Sequence, residues 1–548
     1  MEMKSMLNTA LNYVVKDLSV STNGLVLPSS DKTNPTKGIG YKWIHENNES
    51  ELITAFGVYN SFQEPVPEDG CGNFDQLLDK YFKSISHCSL NDNCPGYMAW
   101  IPSGAMYASC VADFISSCSN RFVSAFMNAP SLQAIEDVVI RWFLSMIGMS
   151  DLNNAGGILT GGGSMANFQA IHAARCHCYA SVCFFSITFP RGRSFAKSDW
   201  ECIRIPKKKE NFLLFPFFFY LKKPEDILKL TVYVSEQSHY CIDQGIQMCG
   251  IPQSNVRYIP THSDFTIKAE IMEQRIQEDL TQGLIPMMVV AVGGTTNTGS
   301  VDDIDKVCEI GDKYGVWKHV DGAYGGFFAL TKRGSKLLKG IERADSVVLD
   351  PHKSFFLPYG TGCLLVRDKS TLLKANKATG AYMHEPYALD GIPNDLSDMG
   401  PELSRRFRGL GVWLPIKMYG IEVFRKELEL KLDLTQYAVQ QIAAIPYMRI
   451  MTQPKLTIFA FRLEYDQVND ETKDQMNKDL LDNINKRGNI VLSAIRSCAK
   501  SESNEKGKGV DVFCLRMVIL SQRTQIEQLR QAIEDIKEAT QEVMQAHC

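Results

Sequence analysis

The stretch "SVVLDPHKSFFLPYGTGCLLVRD" (346–368) decides the fold. Its two ends, 346–350 and 361–368, are apolar runs of strand length, and the turn between them carries Asp350, Pro351, His352 and Lys353. An apolar run without polar alternation reads as a strand covered on both faces. Similar runs are "LTVYVS" (230–235), "MMVVAVGG" (287–294) and "WKHVDGA" (317–323). Between them lie "IKAEIMEQRIQEDLTQG" (267–283) and "IDKVCEIGDKYG" (304–315), both of helical period, the second closed by a glycine suited to a C-terminal cap. Strands alternating with helices predict an α/β fold, with a mostly parallel central sheet and helices on both faces. Lys353 is oddly placed in it. Lysine is rarely buried, yet Phe355, Phe356 and Leu357 follow it at once.

Outward from this core, three parts are expected. Residues 1–105 form an N-terminal helical segment with loops such as "PSSDKTNPTKG" (28–38), and 106–415 form the large α/β unit. Residues 416–548 form a smaller α+β unit: helices at 421–445, strands in "LTIFAFRLEY" (456–465) and "VFCLRMVILS" (512–521), then a charged helix at 524–546. One segment, 178–221, is an atypical insert. It has neither strand alternation nor helical period, and it holds nine of the chain's 28 phenylalanines where 2–6 residues usually suffice. A lid and a translated intron both fit that composition, and no chemistry is placed on it.

Bulk properties narrow the function. Lys+Arg 58 against Asp+Glu 62 gives a net charge of −4, which offers no footprint for nucleic acid or an anionic membrane. No run reaches the ~18 apolar residues of a membrane span. The N-terminal "MEMKSMLNTALNYVVKDLSV" is broken by Asn8, Asn12 and Lys16, so it reads as an amphipathic helix and not as a secretory leader. The 16 cysteines are scattered, as reduced thiols are, and Cys176-His177-Cys178 has no second pair at metal-finger spacing. A cytoplasmic enzyme without a metal is expected.

Ligands of such sheets bind beyond the C-terminal ends of the strands. There "GGILTGGGSMANFQAIHAAR" (156–175) is a glycine-rich turn opening a helix near Ser164, either an anion cradle or a capped tight turn. Asp321 in "KHVDGAYGG" (318–326) ends a strand and is followed by the small Gly322 and Ala323. It either faces a flat ligand or caps a helix. His239 in "SEQSHYC" (235–241) either stacks on a ring or is an ordinary loop histidine. Thr296 in "GGTTNTGSVDDI" (293–304) either donates to a ligand or serves its own loop. Lys353 is either a snorkelling lysine or an amine whose pKa burial lowers until it can attack a carbonyl.

Together these motifs are far more specific than any one alone. A cradle, a stacking histidine, a carboxylate and a nucleophilic lysine, in that chain order, suit pyridoxal 5′-phosphate, whose ring absorbs electrons when its nitrogen is protonated. From about Pro95 onward the chain resembles the group II pyridoxal-phosphate-dependent amino acid decarboxylases, the family of aromatic amino acid, histidine, glutamate and diaminobutyrate decarboxylases. The motifs that carry the resemblance are "HVDGAYGG", "DSVVLDPHK", "SEQSH" and "SRRFRGLGVWLPIKMYG" (404–420).

The resemblance implies the fold-type-I architecture and a homodimer with active sites at its interface. It implies that Lys353 holds the cofactor as a Schiff base, that Asp321 pairs with the pyridine nitrogen, and that Ala323 and His239 lie on opposite ring faces. Gly163, Ser164 and His352 would contact the phosphate, with Thr296 near the ring. Asp350 stands where many relatives have asparagine. In "LLKANKATGAYMHEPYALDGI" (372–392), a mobile loop in the family, Tyr382 would protonate the substrate carbon after carbon dioxide leaves, with Tyr387 as second candidate. A tyrosine there favours decarboxylation over oxidative aldehyde synthesis. "GYMAWIPSGAMY" (96–107) resembles the segment that meets the substrate side chain, and Trp100, Ile101 and Pro102 suggest an apolar or aromatic amino acid. Aldehyde synthesis, carbon–carbon lysis and a non-catalytic homologue are the alternatives.

Overall fold

The computed structural model describes residues 3–22, 65–70, 72–86, 90–184, 224–377, 393–499 and 510–547. Seven strands form the central sheet: β1 (Gly156–Thr160), β2 (Leu230–Ser235), β3 (Val256–Ile259), β4 (Ile285–Val292), β5 (Trp317–Gly322), β6 (Ser346–Leu349) and β7 (Gly362–Val366). Their spatial order is β1-β7-β6-β5-β4-β2-β3. Pairing is parallel from β3 through β6, and β7 runs antiparallel to both β6 and β1.

Alternate strand residues enter two separate cores, which is why the strands read as unbroken apolar runs. Tyr233, Val289, Ala291, Val347, Leu349 and Leu365 face helices Pro130–Met146, Ala269–Thr281 and Ile304–Tyr314. Their neighbours Val232, Val234, Met288, Val290, Val348 and Leu364 face helices Gly163–Phe184 and Cys241–Met248. Each valine, leucine or methionine among them contributes roughly 1.5–3 kcal/mol of burial. Helix Ile304–Tyr314 is closed by Gly315 in the left-handed conformation, as its sequence predicts.

Two expectations change. Residues 156–160 are a strand and not a turn: a Cβ at Gly157 would lie 2.3 Å from the Leu364 carbonyl oxygen of β7. The glycine that weakens the strand signal is what lets the two backbones approach. The helix expected to open near Ser164 starts at Gly163 and runs to Phe184, so it takes in the first residues of the segment expected to be an atypical insert.

A second sheet follows, of β8 (Met448–Ile450), β9 (Ile458–Leu463), β10 (Ser493–Ala499) and β11 (Val510–Val518), all antiparallel in the order β10-β11-β9-β8. Helices Ile421–Ala443, Asp470–Lys486 and Ile526–His547 bury its apolar face. Met98 is part of this second core: its N–H donates to Val491 O at 3.0 Å, and its carbonyl accepts from Val518 N at 2.9 Å. Residues 97–101 thereby reach the margin between the two sheets. Among the described residues no helix is long and apolar enough to cross a membrane, and no group of three His, Cys, Asp or Glu is placed to hold a metal ion.

Candidate active site

The turn after β6 positions Lys353. Lys353 N donates to Asp350 O at 2.9 Å, Phe356 N to Lys353 O at 3.1 Å, and Leu357 N to Pro351 O at 3.1 Å. Phe356 closes the turn at φ +64, a left-handed conformation that costs a non-glycine residue roughly 1–2 kcal/mol. Packing holds it there. Phe355, Phe356 and Leu357 are fully buried, and Phe355 stacks on Phe424 with ring centroids 4.2 Å apart.

The amine itself is not among these rings, which corrects the sequence expectation of a lysine made neutral by greasy surroundings. Its side chain points into a cavity, 23% exposed, and Nζ lies 3.0 Å from Asp350 Oδ2. Burial pulls the Lys353 pKa down, but the charge and hydrogen bond of Asp350, with Asp321 behind, push it up further, and the net shift is upward. The phenylalanines anchor the turn, and the carboxylate holds the amine as ammonium.

The cradle lies opposite. β1 ends at Thr160, and the chain passes through Gly161 and Gly162, the latter at φ +149, into helix Gly163–Phe184. A Cβ at Gly163 would sit 2.6 Å from Asp350 Oδ2 and 3.1 Å from the Ala323 side chain, so only glycine fits. The first N–H groups of a helix lack intrahelical partners and favour an anion. Thr361 O takes the Nδ1–H of His352 at 2.8 Å, which leaves Nε2 facing Asp350 at 3.8 Å.

Asp321 ends β5 and is 6% exposed. Its Oδ1 accepts from Ala323 N at 3.1 Å and its Oδ2 from Asn167 Nδ2 at 3.1 Å. His239 follows β2; its Nδ1 accepts from Cys241 N at 3.3 Å, and burial lowers its pKa, opposed by Asp321. Gly163, Ser164, His239, Thr296, Asp321, Ala323, His352 and Lys353, the eight cofactor candidates of the sequence, all line one cavity of ≈ 500 Å³.

A second cavity of ≈ 270 Å³ adjoins it at His239, Thr296 and Lys353. Trp100 and Ile101 line it, and Pro102 is buried but not on its wall. Tyr382 and Tyr387 lie outside the described residues.

Several wall residues escaped sequence reasoning. Asn167, Cys241, Tyr324 and Glu402 line the larger cavity, and Arg516 the smaller. Asn167 was readable as the residue one helical turn beyond Ser164. Arg516 was readable as a lone cation inside the apolar run 512–521. It is almost fully buried, donating to Ala99 O at 2.6 Å, Thr296 O at 2.6 Å and Asn297 O at 3.2 Å, and burial lowers its pKa to about 10.

The larger cavity suits pyridoxal phosphate. Its size is right for a small cofactor, and an amine, a strand-end carboxylate and a glycine cradle line it together. Asp350 Oδ1, buried without a hydrogen-bond partner, keeps acceptor capacity at the cavity wall.

Comparison with known proteins agrees. The family described as "Pyridoxal-dependent decarboxylase conserved domain" matches residues 63–182 and 222–464, stepping over 183–221, most of the atypical insert. An aromatic-L-amino-acid decarboxylase of Bacillus atrophaeus is 29% identical over 496 residues, covering 90% of this chain and 91% of the relative. A phenylacetaldehyde synthase of Petunia hybrida is 26% identical over 408 residues, covering 73% of this chain and 74% of the relative. The crystal structure of Oryza sativa TDC with PLP and tryptamine superposes with a TM-score of 0.80 at 21% identity, over 99% of this chain and 98% of that one. The fold is therefore that of fold-type-I pyridoxal-phosphate enzymes.

The chain belongs to the pyridoxal-dependent decarboxylase family. It is accordingly an amino acid decarboxylase, a carboxy-lyase with pyridoxal phosphate as its cofactor.

Proposed function

We propose that this enzyme converts an aromatic L-amino acid to its amine and carbon dioxide, at a site built on Lys353 and Asp321. The observation that carries this is the convergence of five strand ends on one cavity, with the amine and the carboxylate on its wall. Bound there, the cofactor supplies an electron-accepting ring that stabilises the negative charge left when carbon dioxide departs.

The chain's own residues do the rest. Lys353 would hold the cofactor aldehyde until the substrate amine takes its place. Asp321 would pair with the ring nitrogen and keep a proton there. His239 and Ala323 would flank the ring, Thr296 would lie beside it, and Gly163, Ser164 and His352 would take the phosphate. Tyr382 delivers a proton to the substrate α-carbon, which makes the product an amine. Trp100 and Ile101 form an apolar wall for the side chain, and Arg516 brings positive charge to the same cavity, suited to a carboxylate.

A homodimer with the sites at its interface, in the cytoplasm, completes the reading, as does a division of the chain near residues 105 and 415. Tyr107, Val111, Phe114 and Ile115 support the dimer. They fall on one side of helix Tyr107–Ser119, each about half exposed, and form an apolar stripe that a second copy would cover.

Incubation of the purified protein with a panel of amino acids tests the activity. Equimolar amine and carbon dioxide from aromatic substrates is the expected result. Aldehyde with peroxide as the main products, or preference for an acidic or diamino substrate, overturns it.

A further inference from the structure

Asp321 is the end of a line of buried polar groups. Trp317, His319 and Asp321 are alternate residues of β5 and share the face beneath helix Gly163–Phe184. His319, 1% exposed, lies directly opposite Ser346 of β6. Its Nδ1 is 2.8 Å from Ser346 Oγ, and its Nε2 is 2.8 Å from Asn167 Oδ1. Ser346 Oγ accepts from Trp317 Nε1 at 2.8 Å, and Asn167 Nδ2 donates to Asp321 Oδ2 at 3.1 Å.

The direction of each bond follows from what each group can do. An indole nitrogen only donates and a carboxylate oxygen only accepts, so Ser346 Oγ accepts from Trp317, and Asn167 turns its nitrogen to Asp321 and its oxygen to His319 Nε2. Burial lowers the His319 pKa to about 4, against the pull of Asp321, so the ring is neutral with a single N–H. Facing the Asn167 oxygen, that N–H is on Nε2, and Nδ1 accepts the Ser346 hydroxyl hydrogen. Reversing any one bond would set two donors or two acceptors face to face, and a fully satisfied buried network specifies one arrangement.

We propose that His319 and Asn167 are positioning residues, forming with Trp317 and Ser346 a one-way hydrogen-bond relay that fixes the Asp321 carboxylate toward the ring nitrogen of the cofactor. Asn167 holds Oδ2 and the Ala323 N–H holds Oδ1, so the carboxylate cannot rotate away from the cavity. The Cys241 sulfur, 3.3 Å from Asn167 Nδ2, is a further contact of the same amide. The proposal rests on the reading of Asp321 as partner of that nitrogen.

The test compares capture of pyridoxal phosphate with capture of its 1-deaza analogue, in which carbon replaces the ring nitrogen. Apoprotein of the wild type, His319→Leu, His319→Gln and Asp321→Ala is titrated with each, with thermal melting as the folding control. His319→Leu is expected to weaken capture of pyridoxal phosphate about tenfold or more, the scale of a hydrogen bond to a charged group. His319→Gln, whose amide N–H can still reach Asn167, recovers most of that loss. The deaza analogue binds wild type and His319→Leu alike, within about twofold.

Equal weakening toward both ligands would reduce the relay to a structural role, and no weakening would leave it idle; either overturns the proposal. Asp321→Ala separates the two levels. If Asp321→Ala weakens capture of both ligands equally, or of neither, the reading of Asp321 falls and the relay with it. If Asp321→Ala weakens capture of pyridoxal phosphate alone and His319→Leu does not, the relay alone falls. Should His319→Leu not fold, Asn167→Leu puts the same question, with the same expected readings.

Discussion

The two adjoining cavities are built in opposite ways. The larger gathers its residues where β1, β2, β4, β5 and β6 end, each delivered by a short motif and held by the sheet beneath it. The smaller is assembled from pieces far apart in the chain: Arg516 alone ties in Ala99, 417 residues away, and Thr296, 220 residues away. The contrast matches a division of labour. On the proposed reading, the cofactor would be met by strand ends of the central sheet, and the substrate side chain by residues 100–101 together with strands β10 and β11 of the second sheet.

Variants can break that contrast on either side. The largest effect is expected on the cofactor side, from Lys353→Ala: turnover falls about 10⁴-fold or more, as when a covalent catalyst is removed. Borohydride reduction of the wild-type holoprotein leaves a pyridoxyl group on Lys353 by peptide mass spectrometry, and an adduct on any other side chain refutes the assignment. Next is Arg516→Met on the substrate side. Three carbonyls lose their donor at roughly 1–3 kcal/mol for each that stays buried and unpaired, so the melting temperature falls and KM rises about tenfold or more. Capture of pyridoxal phosphate should stay within about threefold; a larger loss would show that the two cavities are not separable. Trp100→Ala is milder: KM for aromatic amino acids rises about tenfold, the worth of a lost apolar contact of 1–3 kcal/mol, with kcat within about twofold. A uniform loss across aromatic and small aliphatic substrates would take Trp100 out of the specificity wall.

The same contrast explains what could be read in advance. β2, β5 and β6 were legible because both their faces are buried, which leaves apolar runs with few other readings. β1 was not, because Gly157 serves a close backbone approach and carries no strand propensity. The cofactor candidates were legible because each follows a strand end within a few residues. Arg516 and the relay through His319 were not, because their partners lie on other elements, and no local pattern announces a hydrogen bond 152 residues long in sequence from His319 to Asn167. The orientation of Lys353 was misjudged for a related reason. Adjacent phenylalanines suggest an apolar environment for the amine, but the turn buries Phe355 and Phe356 in the core while Lys353 lines the cavity.

That orientation leads to the smallest predicted effect, in Asp350→Asn. Only the free amine can attack the cofactor aldehyde, and in the apoprotein Asp350, 3.0 Å away, is the nearest group opposing its deprotonation. Asp321 and Cys241 act in the same sense, and burial acts against them. With Asp350 replaced by asparagine, the Lys353 pKa falls, so the alkaline rise in the rate of cofactor capture moves to lower pH. Each unit of movement is about a tenfold gain at a fixed pH below the rise. Mixing apoprotein with pyridoxal phosphate across a pH series, followed by absorbance, reads this directly. Asp350 also touches the cradle through Gly163, so losing its charge eases the approach of an anionic phosphate. That second effect lifts capture at every pH without moving the rise. A uniform lift with an unmoved profile would mean that Asp350 acts on the phosphate alone and that another group governs the proton on Lys353.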